Sequence, residues 1–223
     1  IQREVWTLMA LAHSPRIVRD SLVFYLDAAN TKSYPGSGTT WIDMSGKNHD
    51  GTLTNGPTFS SDNSGSIVFD GSNDYTAISA SGDFSFAGDF TIESWVYPTS
   101  SVVFANILST ENFDFKLQYL AVRIYTTSGS NSSATATLNK WNHILYYRRS
   151  GTMYTNINGV ENTVTPAAFT GDGSSGAEVG RKIRSSNENF IGRISNVKVY
   201  KDKALTKSEI LQNYNALKGR FGL

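Results

Sequence analysis

Short apolar runs at close, regular spacing are the feature that most limits how this chain can fold. Residues 22–26 are almost continuously apolar, residues 90–97 form a second run that Pro98 closes, and residues 153–157 end at Asn158-Gly159. An Asn-Gly pair after an apolar run is a strong two-residue hairpin signal. Many short strands joined by such turns are typical of a β-sandwich or a β-barrel, so we predict an all-β domain.

Further strands are predicted from the same pattern. Residues 66–69 and 74–78 flank an Asp70-Gly71 turn, which predicts a hairpin. Three more strands are predicted at residues 115–125, 135–138 and 141–148. No helical periodicity occurs before residue 206.

The chain closes with a strand and a single predicted helix. Thr206 and Glu209 match a capping box, in which each side chain satisfies a backbone amide at the start of a helix. The apolar side chains that follow at helical spacing are Ile210, Tyr214 and Leu217. We expect this helix to pack its apolar face on the strands and to stop at Gly219.

Size, charge and composition exclude several classes of protein. The 223 residues carry a net charge of +1 and no cysteine. A chain of this length can bury a full core as one large all-β domain, so it does not need disulfide bonds. No apolar segment is long enough to cross a membrane, so no membrane insertion is expected. No aromatic-interleaved basic stripe is present, so no nucleic-acid binding is expected.

Charge is unevenly distributed along the chain. Residues 181–223 contain ten Lys or Arg and three Asp or Glu, whereas the remainder contains ten and sixteen. A basic segment of this kind could dock on an acidic partner. The alternative is that the charges are mixed in space, because the last strand of a sandwich pairs with early strands.

Six short motifs occur in order along the chain. They are residues 22–30, which end in L-D-A-A-N, W-x-D-x-S-G at 41–46, F-D-G-x-x-D-Y at 69–75, F-T-I-E-x-W-V at 90–96, W-x-H at 141–143 and I-N-G at 157–159. With the closing strand and helix, they resemble concanavalin A-like, laminin G-like jelly-roll domains. Residues 213–222 resemble the C-termini of structural proteins of tailed bacteriophages, cyanophages among them. The resemblance implies a two-sheet antiparallel β-sandwich jelly roll with one C-terminal helix.

The resemblance also implies an organisation and a function. It divides the chain into an N-terminal arm or anchor at residues 1–21, a laminin G-like sandwich at 22–205 and a helix and tail at 206–223. It implies a non-enzymatic component of a phage virion surface, a capsid decoration, fibre or tail-fibre domain that binds host or environmental glycans. The expected partners are other virion proteins and copies of the chain. Open alternatives are a lectin or adhesin domain of a secreted, extracellular bacterial protein, a purely structural virion cap and a glycan-degrading enzyme.

Catalysis by carboxylates is not expected. Glucanases of the resembled fold carry three carboxylates that alternate along one strand, and retaining glycosidases need two carboxyl groups at close range. The strand at residues 90–97 offers only Glu93, and Glu111 and Asp114 fall in an expected loop. We therefore predict that the protein is not an enzyme.

A sugar platform is predicted on one face of the strand at residues 90–97. The period of two places Glu93, Trp95 and Tyr97 together, and aromatic faces beside a polar acceptor suit sugars. Further candidates are Tyr119 and Tyr147. The alternative is that a loop or the terminal helix covers Trp95.

Calcium is a second candidate ligand, at Asp70, Asn73 and Asp74. Three oxygen-bearing side chains within five residues could supply the hard ligands that Ca²⁺ prefers, and related jelly rolls often hold calcium near this turn. The alternative is that these residues are ordinary turn formers, which cap their own backbone.

The first twenty-one residues do not resemble the sandwich. Residues 5–12 are apolar and include Trp6 and Leu11, and Ile17 lies beyond Pro15. Exposed apolar segments of this kind mark interaction sites, so we predict an anchor that packs on a neighbouring copy or shell protein. The alternatives are a signal-like remnant and an edge strand of the same domain.

Overall fold

The computed structural model describes residues 16–102, 104–125, 134–164, 175–183, 185 and 187–223. Its strands, in chain order, are β1 (Leu22–Asp27), β2 (Thr40–Trp41), β3 (Gly51–Thr54), β4 (Thr58–Ser60), β5 (Ser66–Asp70), β6 (Tyr75–Ser81), β7 (Phe90–Pro98), β8 (Ala105–Thr110), β9 (Asp114–Gln118), β10 (Ala121–Tyr125), β11 (Asn142–Arg149), β12 (Thr152–Ile157), β13 (Val160–Val164), β14 (Ser175–Val179) and β15 (Ile191–Lys201). The helix α1 covers Lys207–Leu217.

The strands form two antiparallel sheets. The helix-side sheet has the order β13-β12-β11-β7-β15-β5-β4, and β1 also pairs with β15. The opposite sheet has the order β10-β9-β8-β14-β6-β3-β2. The long strand β15 pairs along one side with β7 and along the other with β5 and then β1, so it is the centre of the helix-side sheet. The predicted all-β sandwich jelly roll with one C-terminal helix is confirmed.

The main core lies between the two sheets. Alternate residues of β7, Phe90, Ile92 and Val96, are fully buried in it, as the period of two predicts. Phe115 and Leu117 of β9 enter the same core from the opposite sheet. Burial of these large apolar side chains is the main favourable term that holds two sheets face to face.

Helix α1 covers the outer face of the helix-side sheet. Its capping box is confirmed, because Thr206 accepts a hydrogen bond from the Glu209 amide and the Glu209 side chain accepts one from the Thr206 amide. Ile210 and Leu217 are buried against the sheet. The α-helix ends at Leu217 with Lys218 as its C-cap, so Gly219 directly follows the helix end, and the chain continues as a 3₁₀ helix, Lys218–Phe221.

The glycine that terminates this tail in a left-handed conformation is Gly222, with φ of 71°. The side chain of Phe221, within the 3₁₀ helix, is buried on the sheet, and the tighter helical turn carries it there. The 3₁₀ helix therefore brings Phe221 onto the sheet after the α-helix has ended.

Replacing Thr206 by alanine is expected to lower the free energy of unfolding by about 1 kcal/mol, because the Glu209 amide loses its acceptor. Ser208→Ala is the matched control, since Ser208 is exposed in the same turn and does not cap it. Urea unfolding monitored by circular dichroism measures both. Equal midpoints for Thr206→Ala and the unmodified protein would show that the cap contributes nothing.

Two predicted strand arrangements are wrong. Residues 66–69 and 74–78 do not pair as a hairpin, since β5 belongs to the helix-side sheet and β6 to the opposite sheet. The intervening turn is a crossing between sheets, which lets both strands bury apolar side chains in one core. Residues 115–125 are not one strand but β9 and β10, joined at Tyr119 and Leu120, both with positive φ. Neither is a glycine or asparagine, so the turn had no sequence signal.

The predicted Asn158-Gly159 hairpin is confirmed between β12 and β13, with φ of 51° and 90° at the two residues. The predicted strand at residues 135–138 reduces to an isolated bridge at Thr135. Among the described residues, no helix has the length and apolar character needed to cross a membrane.

Candidate functional site

The predicted sugar platform lies on the expected face of β7, but two of its three members are covered. Glu93, Trp95 and Tyr97 all face helix α1. Glu93 and Trp95 are 0% exposed, whereas Tyr97 at the end of the strand is half-buried. Phe221 stacks on Trp95, with ring centroids 4.2 Å apart. The alternative stated for Trp95, a cover formed by the C-terminal segment, is what the structure shows, so Glu93 and Trp95 cannot contact a sugar here.

Glu93 instead organises a buried polar network beneath the helix. Its Oε1 accepts hydrogen bonds from Lys198 Nζ at 2.7 Å and from His143 Nε2 at 3.0 Å. Its Oε2 accepts a hydrogen bond from Asn213 Nδ2 of helix α1 at 2.6 Å. All four side chains are 0% exposed. The carboxylate therefore joins β7, β11, β15 and the helix.

The network fixes the ionisation of its members. Burial by itself would raise the pKa of Glu93, but the Lys198 ammonium and the His143 hydrogen bond lower it to about 2. Burial lowers the pKa of His143, against the opposing pull of Glu93. Glu93 is thus a carboxylate and His143 a neutral imidazole at neutral pH, which suits a fixed structural pair rather than proton transfer.

The two remaining tyrosine candidates do not join the platform. Tyr147 is 0% exposed, its hydroxyl donates to Glu161, and its ring stacks on Tyr154 at 5.3 Å. Burial raises the pKa of the Tyr147 phenol, and Glu161 raises it further. Tyr119 is 62% exposed and lies on the β9–β10 turn of the opposite sheet, and it has no ring contact with Tyr97 among the described contacts.

An aromatic cleft of about 450 Å³ opens where β7 ends and β11 begins. The residues that line this aromatic cleft are Tyr97, Thr137, Lys140, Trp141, Asn158, Tyr214, Phe221 and Leu223. Trp141 lies against Tyr97, with ring centroids 5.6 Å apart, and against Phe221, at 4.6 Å. The structure thus brings one predicted sugar-binding residue, Tyr97, together with three further aromatic side chains.

The aromatic cleft combines apolar walls with polar groups at its rim. Trp141 is oriented by a hydrogen bond from its Nε1 to Asn63 Oδ1 at 2.9 Å. Thr137, Lys140 and Asn158 are exposed at the rim and offer a hydroxyl, an ammonium and an amide. A cleft with aromatic walls and a few fixed polar groups suits a small polar ligand with apolar faces.

The sequence of the chain matches a known protein family. Residues 70–211, more than half of the chain, match the model Laminin_G_3, described as the concanavalin A-like lectin/glucanases superfamily. The chain belongs to this superfamily. A comparison with curated protein sequences gave no match.

Solved structures show the same concanavalin A-like fold at low sequence identity. Domain 4 of an extracellular arabinanase from Geobacillus stearothermophilus, in complex with arabinotriose, is 17% identical with a TM-score of 0.67, over 87% of this chain and 98% of that domain. A Trypanosoma rangeli sialidase is 16% identical, with a TM-score of 0.63, over 89% of this chain and 33% of its own.

Botulinum neurotoxin type C, in a structure concerned with ganglioside-dependent cell entry, is 16% identical with a TM-score of 0.67, over 89% of this chain and 52% of its own. The chain therefore spans about a third of the sialidase and half of the toxin chain that it resembles.

The outer face of the opposite sheet carries a second polar cluster. Along β9 the residues on this face are Asp114, Lys116 and Gln118, because Phe115 and Leu117 enter the core. Lys116 is 1% exposed and pairs with Asp114, at 3.3 Å, and with Glu188. Burial would raise the pKa of Glu188, but Lys116 lowers it.

This cluster differs from the carboxylate pattern expected of glucanases in the superfamily. Where three carboxylates would alternate along one strand, β9 places a lysine and a glutamine after Asp114. Lys182 also lies 3.6 Å from Asp114 and 3.3 Å from Glu188, so both carboxylates are neutralised by ammonium groups. A lowered pKa keeps Glu188 ionised at neutral pH, which is the wrong state for a general acid.

The predicted calcium residues cap their own turn. Asp70 Oδ1 accepts a hydrogen bond from the Ser72 amide at 2.7 Å, and Asp74 Oδ2 accepts one from the Asp70 amide at 3.1 Å. Burial raises the pKa of Asp74. Asn73 is exposed, and within the described residues no group of three or more His, Asp or Glu could hold a metal ion. These side chains act as turn formers, and calcium at this turn stays a prediction.

Only the last part of the predicted anchor is described. Ile17 packs within the chain against the two apolar clusters beneath helix α1, and Val18 is buried beside it. The Val18 amide donates to Asn213 Oδ1 at 2.8 Å, so this segment is fixed to the helix. Trp6 and Leu11 lie outside the described residues.

Sequence reasoning missed Trp141, Tyr214 and Phe221 as members of a site. The sequence predicts Trp141 only as part of the W-x-H motif in a strand, and it predicts Tyr214 only as part of the apolar stripe of the helix. The docking of the predicted helix could have indicated these residues. A helix on the outer face of β7 covers Trp95 in the middle of the strand and leaves Tyr97, near the strand end, beside the residues that follow the helix. Tyr97, Trp141 and Phe221 lie close together only through contacts between residues that are far apart in sequence.

Proposed function

We propose that the protein is a non-catalytic glycan-binding domain and that the aromatic cleft is its binding site. The observation that carries this proposal is the convergence of Tyr97, Trp141, Tyr214 and Phe221 around one cleft with polar groups at its rim. Sugar rings present apolar C–H faces that pack on aromatic rings and hydroxyls that need polar partners. The aromatic cleft offers both kinds of contact.

The structural neighbours support the choice of ligand class. The arabinanase domain was determined with arabinotriose, and the toxin structure concerns interaction with gangliosides. These proteins are too distant to carry over a particular sugar, since all are below 20% identity. We therefore propose glycan binding as a class and leave the choice of sugar to measurement.

A binding role is favoured over catalysis by the charges around the two polar regions. The residues that line the aromatic cleft include no Asp or Glu side chain. On the opposite sheet, Asp114 and Glu188 are each paired with lysines. A glycosidase needs two carboxyl groups in different protonation states beside the bond that breaks. Neither region supplies that arrangement.

We further propose that the domain works on the surface of a tailed-phage virion, as a decoration, fibre or tail-fibre component in contact with other virion proteins. This location is supported by the resemblance of residues 213–222 to the C-termini of phage structural proteins. A secreted adhesin domain would use the same aromatic cleft. The presence of the chain in purified virions, measured by mass spectrometry, separates the two.

The binding proposal is tested with Tyr97→Ala. Removing this ring is expected to weaken binding of the best oligosaccharide from a panel of arabinotriose, β-glucan, agar and alginate fragments by about tenfold, because a stacking contact is lost. Tyr97→Phe retains the ring and is expected to keep most of the affinity. Isothermal titration calorimetry with the full chain measures both variants.

Tyr119→Ala is the matched control, since Tyr119 is the exposed tyrosine of a turn on the opposite sheet. Its binding constant should equal that of the unmodified protein. Equal losses for Tyr97→Ala and Tyr119→Ala, or no binding to any member of the panel, contradict the aromatic cleft as a glycan site. Release of reducing ends from the same panel during incubation contradicts the non-catalytic role.

A further inference from the structure

A second groove, of about 400 Å³, shares no lining residue with the aromatic cleft. Three arginines line this arginine groove: Arg16 and Arg19 before β1, and Arg220 in the C-terminal tail. Its apolar lining residues are Ile17, Tyr25, Met44, Ala216 and Leu217. The arginine groove therefore combines arginines with a mostly aliphatic floor, and it is built from residues 16–44 and from the C-terminal segment.

Arg220 is held in place at the base of the arginine groove. Its Nη1 donates to Asp27 Oδ1 at 2.8 Å and to Oδ2 at 3.0 Å. Asp27 is 0% exposed and also accepts a hydrogen bond from the Tyr25 hydroxyl at 2.6 Å. This carboxylate compensates the charge of Arg220 and orients its guanidinium. Both of these hydrogen bonds come from Nη1, so the N–H groups of Nη2 and Nε can donate to a ligand.

Arg16 and Arg19 supply the exposed positive charge of the arginine groove. Both are exposed, and in the described part of the chain neither has a carboxylate within 4.0 Å. The neighbouring Asp20 is paired with Lys203 at 2.7 Å. The backbone that carries the two arginines is nevertheless fixed, because Gln212 Nε2 donates to the Arg16 carbonyl at 2.6 Å. The backbone from which the two arginine side chains extend is thus held beside the groove.

The lining and charge of the arginine groove favour an acidic peptide over a neutral sugar or residues 1–15 of the chain itself. The groove has one aromatic lining residue, Tyr25, which is only 6% exposed, and its other apolar lining residues carry no ring. Such a lining suits an apolar side chain better than a sugar ring, which prefers exposed aromatic faces. Residues 1–15 of the chain contain one acidic and one basic residue, Glu4 and Arg3, so they bring no excess negative charge. A rim of arginines favours carboxylates on either side of that apolar side chain.

We propose that the arginine groove docks an acidic peptide segment of a partner protein, with an aliphatic side chain on the floor and flanking carboxylates on Arg16 and Arg19. This interaction is separate from glycan binding in the aromatic cleft. It places one residue of the basic segment 181–223 beside other cations in space, since Arg220 lies with Arg16 and Arg19 along one groove.

The test is a titration of the full chain with the peptide acetyl-Glu-Glu-Leu-Glu-Glu-amide at low salt, followed by nuclear magnetic resonance. The methyl signal of Met44 and the side-chain N–H signals of the three arginines should shift in a saturable manner. The double variant Arg16→Gln, Arg19→Gln should bind about fivefold more weakly, the magnitude expected for exposed ion pairs. Added salt should weaken binding by the unmodified protein more than binding by the double variant.

The double variant Lys140→Gln, Lys207→Gln is the charge-matched control, because it removes two exposed cations that do not line the arginine groove, and it should leave peptide binding unchanged. Equal affinity for the glutamine analogue of the peptide would overturn the role of charge. No saturable shift of Met44, or equal binding by the double variant, would overturn the site. Tighter binding of polygalacturonate than of the peptide at the same arginines would assign the groove to an acidic polysaccharide instead and overturn the peptide proposal.

Discussion

Replacing Glu93 by glutamine is expected to lower the free energy of unfolding by about 3 to 5 kcal/mol, the cost of leaving one partner of a buried ion pair without the other. Glutamine has nearly the shape of glutamate, so little packing changes. What changes is that the Lys198 ammonium, 0% exposed, loses its counter-ion, because the neutral glutamine amide oxygen and Asn196 Oδ1, at 3.1 Å, can accept its hydrogen bonds but cannot balance its charge. Chemical denaturation with two spectroscopic probes measures the loss.

Two further variants make this prediction specific. The double variant Glu93→Gln, Lys198→Met removes both charges and should cost less than Glu93→Gln alone, because no unpaired ion stays buried. Asp20→Asn is the control for an exposed pair with Lys203 and should change stability by less than about 1 kcal/mol. If the double variant costs as much as the two single variants added together, Glu93 and Lys198 are not coupled.

The dependence of stability on pH gives the same experiment a second readout. The pKa of Glu93 is lowered from 4.5 to about 2, so its contribution is present above pH 4.5 and is lost as the pH falls towards 2. The pKa of His143 is also lowered, from 6.5, so its contribution has the same sign and begins to fall below pH 6.5. The unmodified protein should therefore lose stability in acid. In Glu93→Gln the slope between pH 4.5 and 2 should be smaller.

The sequence predicts the parts of this molecule that depend on local pattern. The capping box at Thr206 and the Asn158-Gly159 hairpin are properties of a few adjacent residues, and both are confirmed. The period of two in β7 assigns Ile92 to the core and Trp95 to the other face, as the structure shows. In each of these cases the physical cause lies within the segment itself.

The wrong predictions concern features that depend on contacts with residues distant in sequence. Glu93 and Trp95 share the predicted face, but the residues that cover them, Asn213 and Phe221, are more than one hundred positions away. Periodicity assigns a face and does not say whether that face meets solvent or a helix. The hairpin predicted around Asp70-Gly71 fails for a related reason, since a turn signal does not state which sheet the next strand joins.

Trp95→Ala is expected to be the most damaging packing change in the helix-side cluster, with a loss of about 3 to 5 kcal/mol. The ring is 0% exposed and lies between Phe221, at 4.2 Å, and His143, at 4.9 Å. Its removal leaves a cavity that neither neighbour can fill without moving off the sheet. Tyr119→Ala, at a 62% exposed ring, is the control and should change stability by less than about 0.5 kcal/mol.

The same substitution connects stability with the proposed binding site. Phe221 packs on Trp95 with one side and on Trp141 of the aromatic cleft with another. Loss of Trp95 should therefore release the tail, raise amide hydrogen exchange across residues 218–223 and weaken glycan binding, although Trp95 does not line the cleft. A double-mutant cycle of Trp95→Ala with Phe221→Ala should give a coupling of about 1 kcal/mol, as for other stacked aromatic pairs. Additive losses, with unchanged exchange in the tail, would show that the stack does not hold the cleft together.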